Sequence, residues 1–198
     1  LGIRVGLNLR AGQEVVMTAP LDAMPLVRRL AEHAYKAGAT LVTPLIGDDA
    51  VTLARYRHAH PDAAFDVAPG WLFEAMANAF RGGAARLAVV GEDPTLLSAE
   101  DPDRVARANK ARSKAYRPAL ELITGFAINW NLVPAATPGW ARQVFPGMPE
   151  DQAVAALWDA IFAACRVDAA DPVAEWARHN ATLHARSAFL NGKDFAAL

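Results

Sequence analysis

Apolar residues recur along the chain in two different periods, and the two periods alternate. Short, nearly continuous apolar runs predict four strands, over residues 14–19, 40–46, 85–91 and 126–134. Longer segments with apolar residues three and four apart predict helices over 22–37, 48–59, 69–81, 102–117, 150–166 and 172–190. Because parallel strands need helical crossovers, this alternation favours an α/β fold: an open, mostly parallel sheet with helices on both faces.

Several positions within these elements carry more specific expectations. Pro44 cannot donate a hydrogen bond to a neighbouring strand, so the second strand is expected to lie at an edge of the sheet or to end near Pro44. Residues 1–9 have the apolar spacing of the last turns of a helix. The apolar residues of the last helix are expected to face the core: Val173, Trp176, Leu183 and Leu190.

Composition narrows the classes of function. The 198 residues suit a single α/β domain over 1–198, and 53% hydrophobic residues are enough for a substantial core. The net charge of −1 comes from 20 basic and 21 acidic residues spread along the chain, which argues against nucleic-acid binding. The single cysteine excludes an intrachain disulfide, and no apolar run is long enough for a membrane helix, so a cytoplasmic protein is expected.

Ligands of open α/β sheets bind at the carboxyl ends of the strands, and carboxylates follow two of the predicted strands. Asp48 and Asp49 follow the second strand, and Glu92 and Asp93 follow the third. Such pairs can bind metal or divide acid and base roles, but capping of the next helix explains them as well and is the favoured interpretation. A dinucleotide fingerprint and a P-loop are both missing from these positions.

The remaining candidates for chemistry have simpler explanations. His58 and His60 form an HxH pair without a third ligand nearby in sequence, and Cys165 falls on the apolar stripe of its helix. The six basic residues of segment 104–117 favour a solvated face or a domain contact. The other residues considered lack a catalytic context: His33, His179, His184, Ser98, Ser113 and Ser187. The residues alone therefore assign no catalytic, cofactor-binding or metal-binding residue.

Five segments in order are similar to one family. They are VGLNLRAGQEVVMTAPLDA (5–23), AYKAGATLVTPLIGDD (34–49), NKARSKAYRP (109–118), TPGWARQVFPGMPEDQAVAALWDAIFAACRVDAADPVAEWARH (137–179) and FLNGKDFAAL (189–198). Together they resemble the thermophilic aminopeptidases of the aminopeptidase T, aminopeptidase S and PepS type. The resemblance covers essentially the whole chain, and the segment at 109–118 is the most specific.

The resemblance implies a metal-dependent exopeptidase that removes amino-terminal residues from peptides. A pair of divalent ions (Zn, Co or Mg) is expected to activate water and polarise the scissile carbonyl. The family's ligands lie in a carboxy-terminal domain, which is expected after residue 198, so no metal or catalytic residue is transferred to this chain. The chain is then an amino-terminal domain that supports the active site and restricts access to it, in a homodimer. The alternatives are a module that binds a small ligand and a stand-alone interaction domain.

The segment 137–152 raises a separate question. Pro138 and Gly139 precede Trp140, and Pro146 and Gly147 follow Phe145, which suggests a short helix with an aromatic residue at each end. These aromatics are expected to pin the segment against the fourth strand or the helix of Trp158. The alternative is that the segment forms the wall of a substrate cleft.

Overall fold

Four strands form one fully parallel sheet. They are β1 (Glu14–Pro20), β2 (Leu41–Gly47), β3 (Ala85–Val90) and β4 (Trp130–Pro134), in the spatial order β2-β1-β3-β4. The computed structural model of the chain describes residues 1–195. The open parallel sheet is confirmed, and β2 lies at its edge, as Pro44 indicates.

Within the described residues, seven α-helices connect or flank the strands. They are α1 (Met24–Lys36), α2 (Asp49–His58), α3 (Gly70–Arg81), α4 (Pro102–Thr124), α5 (Pro138–Val144), α6 (Glu150–Ala164) and α7 (Pro172–Asn191). Gly2–Gly6 forms one π-helical turn, and Leu21–Ala23 and Asp62–Asp66 form 3-10 turns. Two of the α-helices begin with residues that favour a helix start. Asp101 caps α4 and Asp171 caps α7, and a proline follows each aspartate.

The two faces of the sheet bury separate cores because successive strand residues point to opposite sides. On one side Met17 and Leu87 pack with Val27 and Leu30 of α1. On the other side the cluster joins Val16 to α3 and α4, through Phe73, Phe80, Ala119 and Ile123. Burial of each large side chain contributes roughly 1.5–3 kcal/mol to the stability of the fold. Helices cover both faces of the sheet, as expected.

The fourth strand is shorter than predicted, because the segment before it ends α4. Phe126 has a φ of 54° and stands in the left-handed region at the helix end. Its amide donates to the carbonyl of Ile123, and the amide of Ala127 donates to the carbonyl of Leu122. These two bonds satisfy carbonyls that the last turn leaves free. Residues 126 and 127 therefore belong to a helix cap, and β4 begins only at Trp130.

The expectation that α7 packs its apolar stripe inward is wrong for most of the helix. Only the first turns are half-buried, where Trp176 donates from Nε1 to the carbonyl of Cys165 at 2.9 Å. Residues 180–191 are all exposed, including Leu183 and Leu190. Periodicity identifies residues that share a helix face, but it does not specify which surface covers that face.

Two further sequence-based expectations concern the chain as a whole. Within residues 1–195, no helix combines the length and the apolar content needed to cross a bilayer. The segment 189–198, one of the five that carry the family resemblance, ends at residues 196–198, outside the described part of the chain.

Candidate functional site

A crevice lies where the carboxyl ends of the four strands meet. The chain leaves β1 toward β2 on one side and later returns to β3 on the other side, so the connections diverge between β1 and β3. Such a divergence is the usual ligand position in an open α/β sheet. A cavity of about 250 Å³ opens there. It is lined by Pro20, Leu21, Asp22, Asp48, Asp49, Ala50, Gly91, Thr137 and Gly139.

Carboxylates give this crevice its electrostatic character. Asp48 caps α2 by accepting a hydrogen bond from the amide of Val51 at 3.0 Å. Burial raises the pKa of the neighbouring Asp49 carboxyl, and the negative charges of Asp22 and Asp93 raise it further. Smaller effects on the same pKa come from Glu92 and Asp48. The crevice therefore disfavours another negative charge, and Asp49 accepts a proton more readily than an ordinary aspartate does.

The carboxylates after β3 are occupied by local bonds. Asp93 Oδ1 accepts from both the amide and the hydroxyl of Thr95, each at 2.8 Å. Its Oδ2 lies 3.7 Å from a guanidinium nitrogen of Arg142 on α5. Glu92 accepts from the amide of Gly91 at 3.0 Å. Asp48 therefore caps a helix, as expected, whereas Glu92 and Asp93 bond to backbone and side-chain groups of their own loop.

The start of α5 forms the wall of the crevice beside β3. The buried hydroxyl of Thr137 donates to the carbonyl of Gly91 and accepts from the amide of Trp140 at 3.4 Å. A Cβ on Gly139 would stand 2.6 Å from the Cβ of Asp93, so only glycine permits this approach. The segment at 137–152 thus contributes to a cavity wall through its first residues.

The rest of that segment is a packing element, as expected. Trp140 and Phe145 are half-buried against a small cluster between α5 and α6. The buried members of that cluster are Ala136, Ala141, Ala153, Leu157 and Ile161. One short helix therefore does both: Thr137 and Gly139 line the crevice, and Trp140 and Phe145 pack against α6.

The histidine and cysteine candidates lie apart from the crevice. His58 is the last residue of α2 and His60 lies on the loop after it, and both are exposed. His33 and His184 are exposed on helices. In residues 1–195, three or more His, Cys, Asp or Glu side chains nowhere come together in a geometry that could hold a metal ion. His179 pairs instead with Arg166, Nδ1 to a guanidinium nitrogen at 3.3 Å.

The thiol and hydroxyl candidates also have structural surroundings. Cys165 is half-buried at the end of α6 rather than fully buried, and its carbonyl accepts the Trp176 bond. Ser98, Ser113 and Ser187 are exposed.

The basic helix α4 makes an ion-pair contact within the domain. Arg107 donates to Asp62 and Asp66, at 2.5 Å in each pair, and Arg104 pairs with Asp62 at 2.9 Å. Hydrogen bonds from Arg107 lower the pKa of both aspartates. Arg104 also lies over the buried Phe65 ring, 5.1 Å from its centre. Part of the basic face thus holds the 3-10 turn at 62–66, and the remainder is solvated.

Sequence reasoning missed three residues that shape the crevice: Asp22, Thr137 and Gly139. Asp22 lies two residues after the end of β1, so the rule that selected Asp48 and Glu92 could have selected it too. Thr137 and Gly139 carry no local signal of a role at the sheet edge. Their role depends on contact with a loop more than 40 residues earlier in the chain.

Comparison with known proteins places the chain in a family. The family model described as thermophilic metalloprotease (M29) matches residues 1–198. Aminopeptidase T from Thermus aquaticus is 57% identical over 198 residues, which are 100% of this chain and 48% of that protein. Aminopeptidase AmpS from Bacillus subtilis (strain 168) is 38% identical over 198 residues, with the same two shares.

A solved structure agrees with these matches. The structure described as wild-type AmpT from Thermus thermophilus superposes with a TM-score of 0.93 at 53% identity. The superposition covers 98% of this chain and 47% of that one. This chain spans about half the length of the curated relatives that it matches. The match of a family model to all 198 residues shows that the chain belongs to the thermophilic metalloprotease (M29) family.

Proposed function

We propose that this chain is the amino-terminal α/β domain of a metal-dependent aminopeptidase that removes amino-terminal residues from peptides. The family match carries the proposal, and the relatives' names, aminopeptidase T and aminopeptidase AmpS, supply the reaction. A catalytic domain after residue 198 would account for the other half of the relatives' length. The whole protein would act in the cytoplasm, as a homodimer.

In this proposal the present chain is not catalytic. Its donor side chains do not fit a metal pair, because residues 1–195 contain no suitable group of His, Cys, Asp or Glu. Three of the strand-end carboxylates, Asp48, Glu92 and Asp93, are bonded to their own loops and helix starts. A divalent pair of Zn, Co or Mg in the catalytic domain would supply the activated water and the polarised carbonyl. This domain would support that site and restrict access to it.

Hydrolysis of leucine p-nitroanilide tests this division of labour. We would compare the full-length protein with residues 1–198 alone, each with added zinc, cobalt or magnesium. The expected result is metal-dependent hydrolysis by the full-length protein and none by the shorter chain. In the full-length protein, Asp49→Asn and Asp93→Asn should retain activity. Hydrolysis by residues 1–198 alone would give this domain a catalytic role. Loss of hydrolysis from the full-length protein on either substitution would do the same.

A second candidate function rests on the crevice itself. The 250 Å³ cavity lies at the topological switch point, where open α/β sheets bind small ligands. A ligand that binds only the folded state raises its melting temperature. A thermal-shift screen that finds a ligand, with the shift abolished by Gly139→Ala, would favour this function over a purely supporting role.

A further inference from the structure

Helix α7 extends from the domain for three turns without packing against it. None of its residues is buried, and residues 180–191 are all exposed. Only the first turns are held, by the Trp176 bond to Cys165 and by Arg166 over the Trp176 ring. An isolated helix of this length is marginal in water, because most helix stability in proteins comes from packing of an apolar face. Nothing in residues 1–195 supplies that packing for 180–191.

The exposed turns present an organised apolar face. Leu183 and Leu190 are seven residues apart, on the same side as Val173, and each leucine is nearly half exposed. Leucines at this spacing pack against another helix or a similar apolar surface. Phe162 and Val167, near the end of α6, are also exposed. An apolar strip of this kind usually marks a contact site.

The relatives indicate what covers this face. The superposition on the Thermus thermophilus structure takes in 98% of this chain, so it includes α7. This chain accounts for only 47% of that structure, so the helix keeps its course in a protein about twice as long. The ionisable side chains of 180–191 are His184 and Arg186, without a carboxylate. A second copy of α7 would therefore offer no opposite charge, whereas a partner surface with carboxylates at its rim would.

We propose that the α7 face formed by Val173, Leu183 and Leu190 is the docking surface for the other half of the longer protein. The occupant is an apolar surface of that half with acidic residues at its edge. The inference rests on the proposed function only for the existence of that second half. It assigns the contact between the halves to a particular helix and makes α7 an element that folds stably only when docked.

Amide hydrogen exchange in the full-length protein tests the docking. We expect residues 180–191 to be protected in the wild type, independently of protein concentration. Leu183→Gln with Leu190→Gln should speed exchange of this segment by at least about tenfold, because the apolar contact is lost while helix propensity is kept. Ala181→Gln with Ala185→Gln, on the opposite side of α7, is the matched control and should leave protection unchanged.

Three results would overturn the proposal. The first is unprotected exchange of 180–191 in the wild type, and the second is an equal effect of the alanine control pair. The third is protection that falls on dilution together with dissociation of a dimer, which would identify a second copy as the occupant. Leucine p-nitroanilide hydrolysis in the same samples separates the two proposals. Protection of α7 in a protein that lacks this activity would refute the proposed function and leave the docking intact.

Discussion

The hydroxyl of Thr137 donates a hydrogen bond to the backbone carbonyl of Gly91, and both residues are buried. Gly91 directly follows β3, and Thr137 is the N-cap of α5 after β4. One side chain therefore satisfies a buried carbonyl, caps a helix and joins two neighbouring strand ends.

Replacement of Thr137 by valine should destabilise the domain by about 1–3 kcal/mol, because the Gly91 carbonyl loses its donor and α5 loses its cap. Thr137→Ser keeps the hydroxyl and should cost clearly less. The free energy of unfolding from urea titration measures both. A loss for serine that exceeds the loss for valine would show that the methyl group matters more than the hydrogen bond at this position.

Gly139→Ala should cost about 1–3 kcal/mol, because its new methyl group would overlap Asp93 and force α5 away from the loop after β3. Gly70→Ala is the control: no atom lies within 4 Å of the corresponding position, so its effect should stay within about 0.5 kcal/mol. Thermal unfolding of both variants gives the comparison. A neutral Gly139→Ala would mean that the loop and α5 separate without cost.

Trp140→Ala should lower the free energy of unfolding by about 2–3 kcal/mol, because the half-buried ring packs against the cluster between α5 and α6. Trp71 on α3 is 74% exposed, and Trp71→Ala should change stability by no more than about 0.5 kcal/mol. Urea unfolding of the two variants makes the test. A loss below about 1 kcal/mol at Trp140 would count against its role as a packing anchor.

The pKa of Asp49, measured by NMR, should lie above that of an ordinary aspartate, because of its burial and the nearby carboxylates. Asp22→Asn removes one of those charges and should lower the pKa of Asp49. A pKa raised by folding contributes stability that is complete below the ordinary aspartate pKa. That contribution is lost as the pH rises through the raised value.

Asp49→Asn should therefore increase stability relative to the wild type at neutral pH, and the difference should shrink toward low pH. Asp151→Asn, an exposed residue in the first turn of α6, controls for the loss of a carboxylate near a helix start. Urea unfolding across a pH series provides the measurement. A difference that grows as the pH falls would contradict the sign derived from the raised pKa.

Local signals in the sequence were enough to locate most elements. The nearly continuous apolar run at 85–90 predicted a strand covered on both faces, and β3 is that strand. Asp48, Asp101 and Asp171 marked helix starts, and each accepts a backbone amide in the structure. Such features depend on a residue and its neighbours within one turn, so the chain order alone reveals them.

Contacts between distant segments were decided only by the tertiary structure. The order β2-β1-β3-β4 brings residues that follow all four strands to one crevice, although Asp22 and Thr137 are far apart in sequence. The same limit applies to α7, where the spacing of Leu183 and Leu190 is that of a packed helix, yet both are exposed in this chain. A hydrophobic period determines which side chains share a face, whereas the partner of that face depends on how the separate elements assemble.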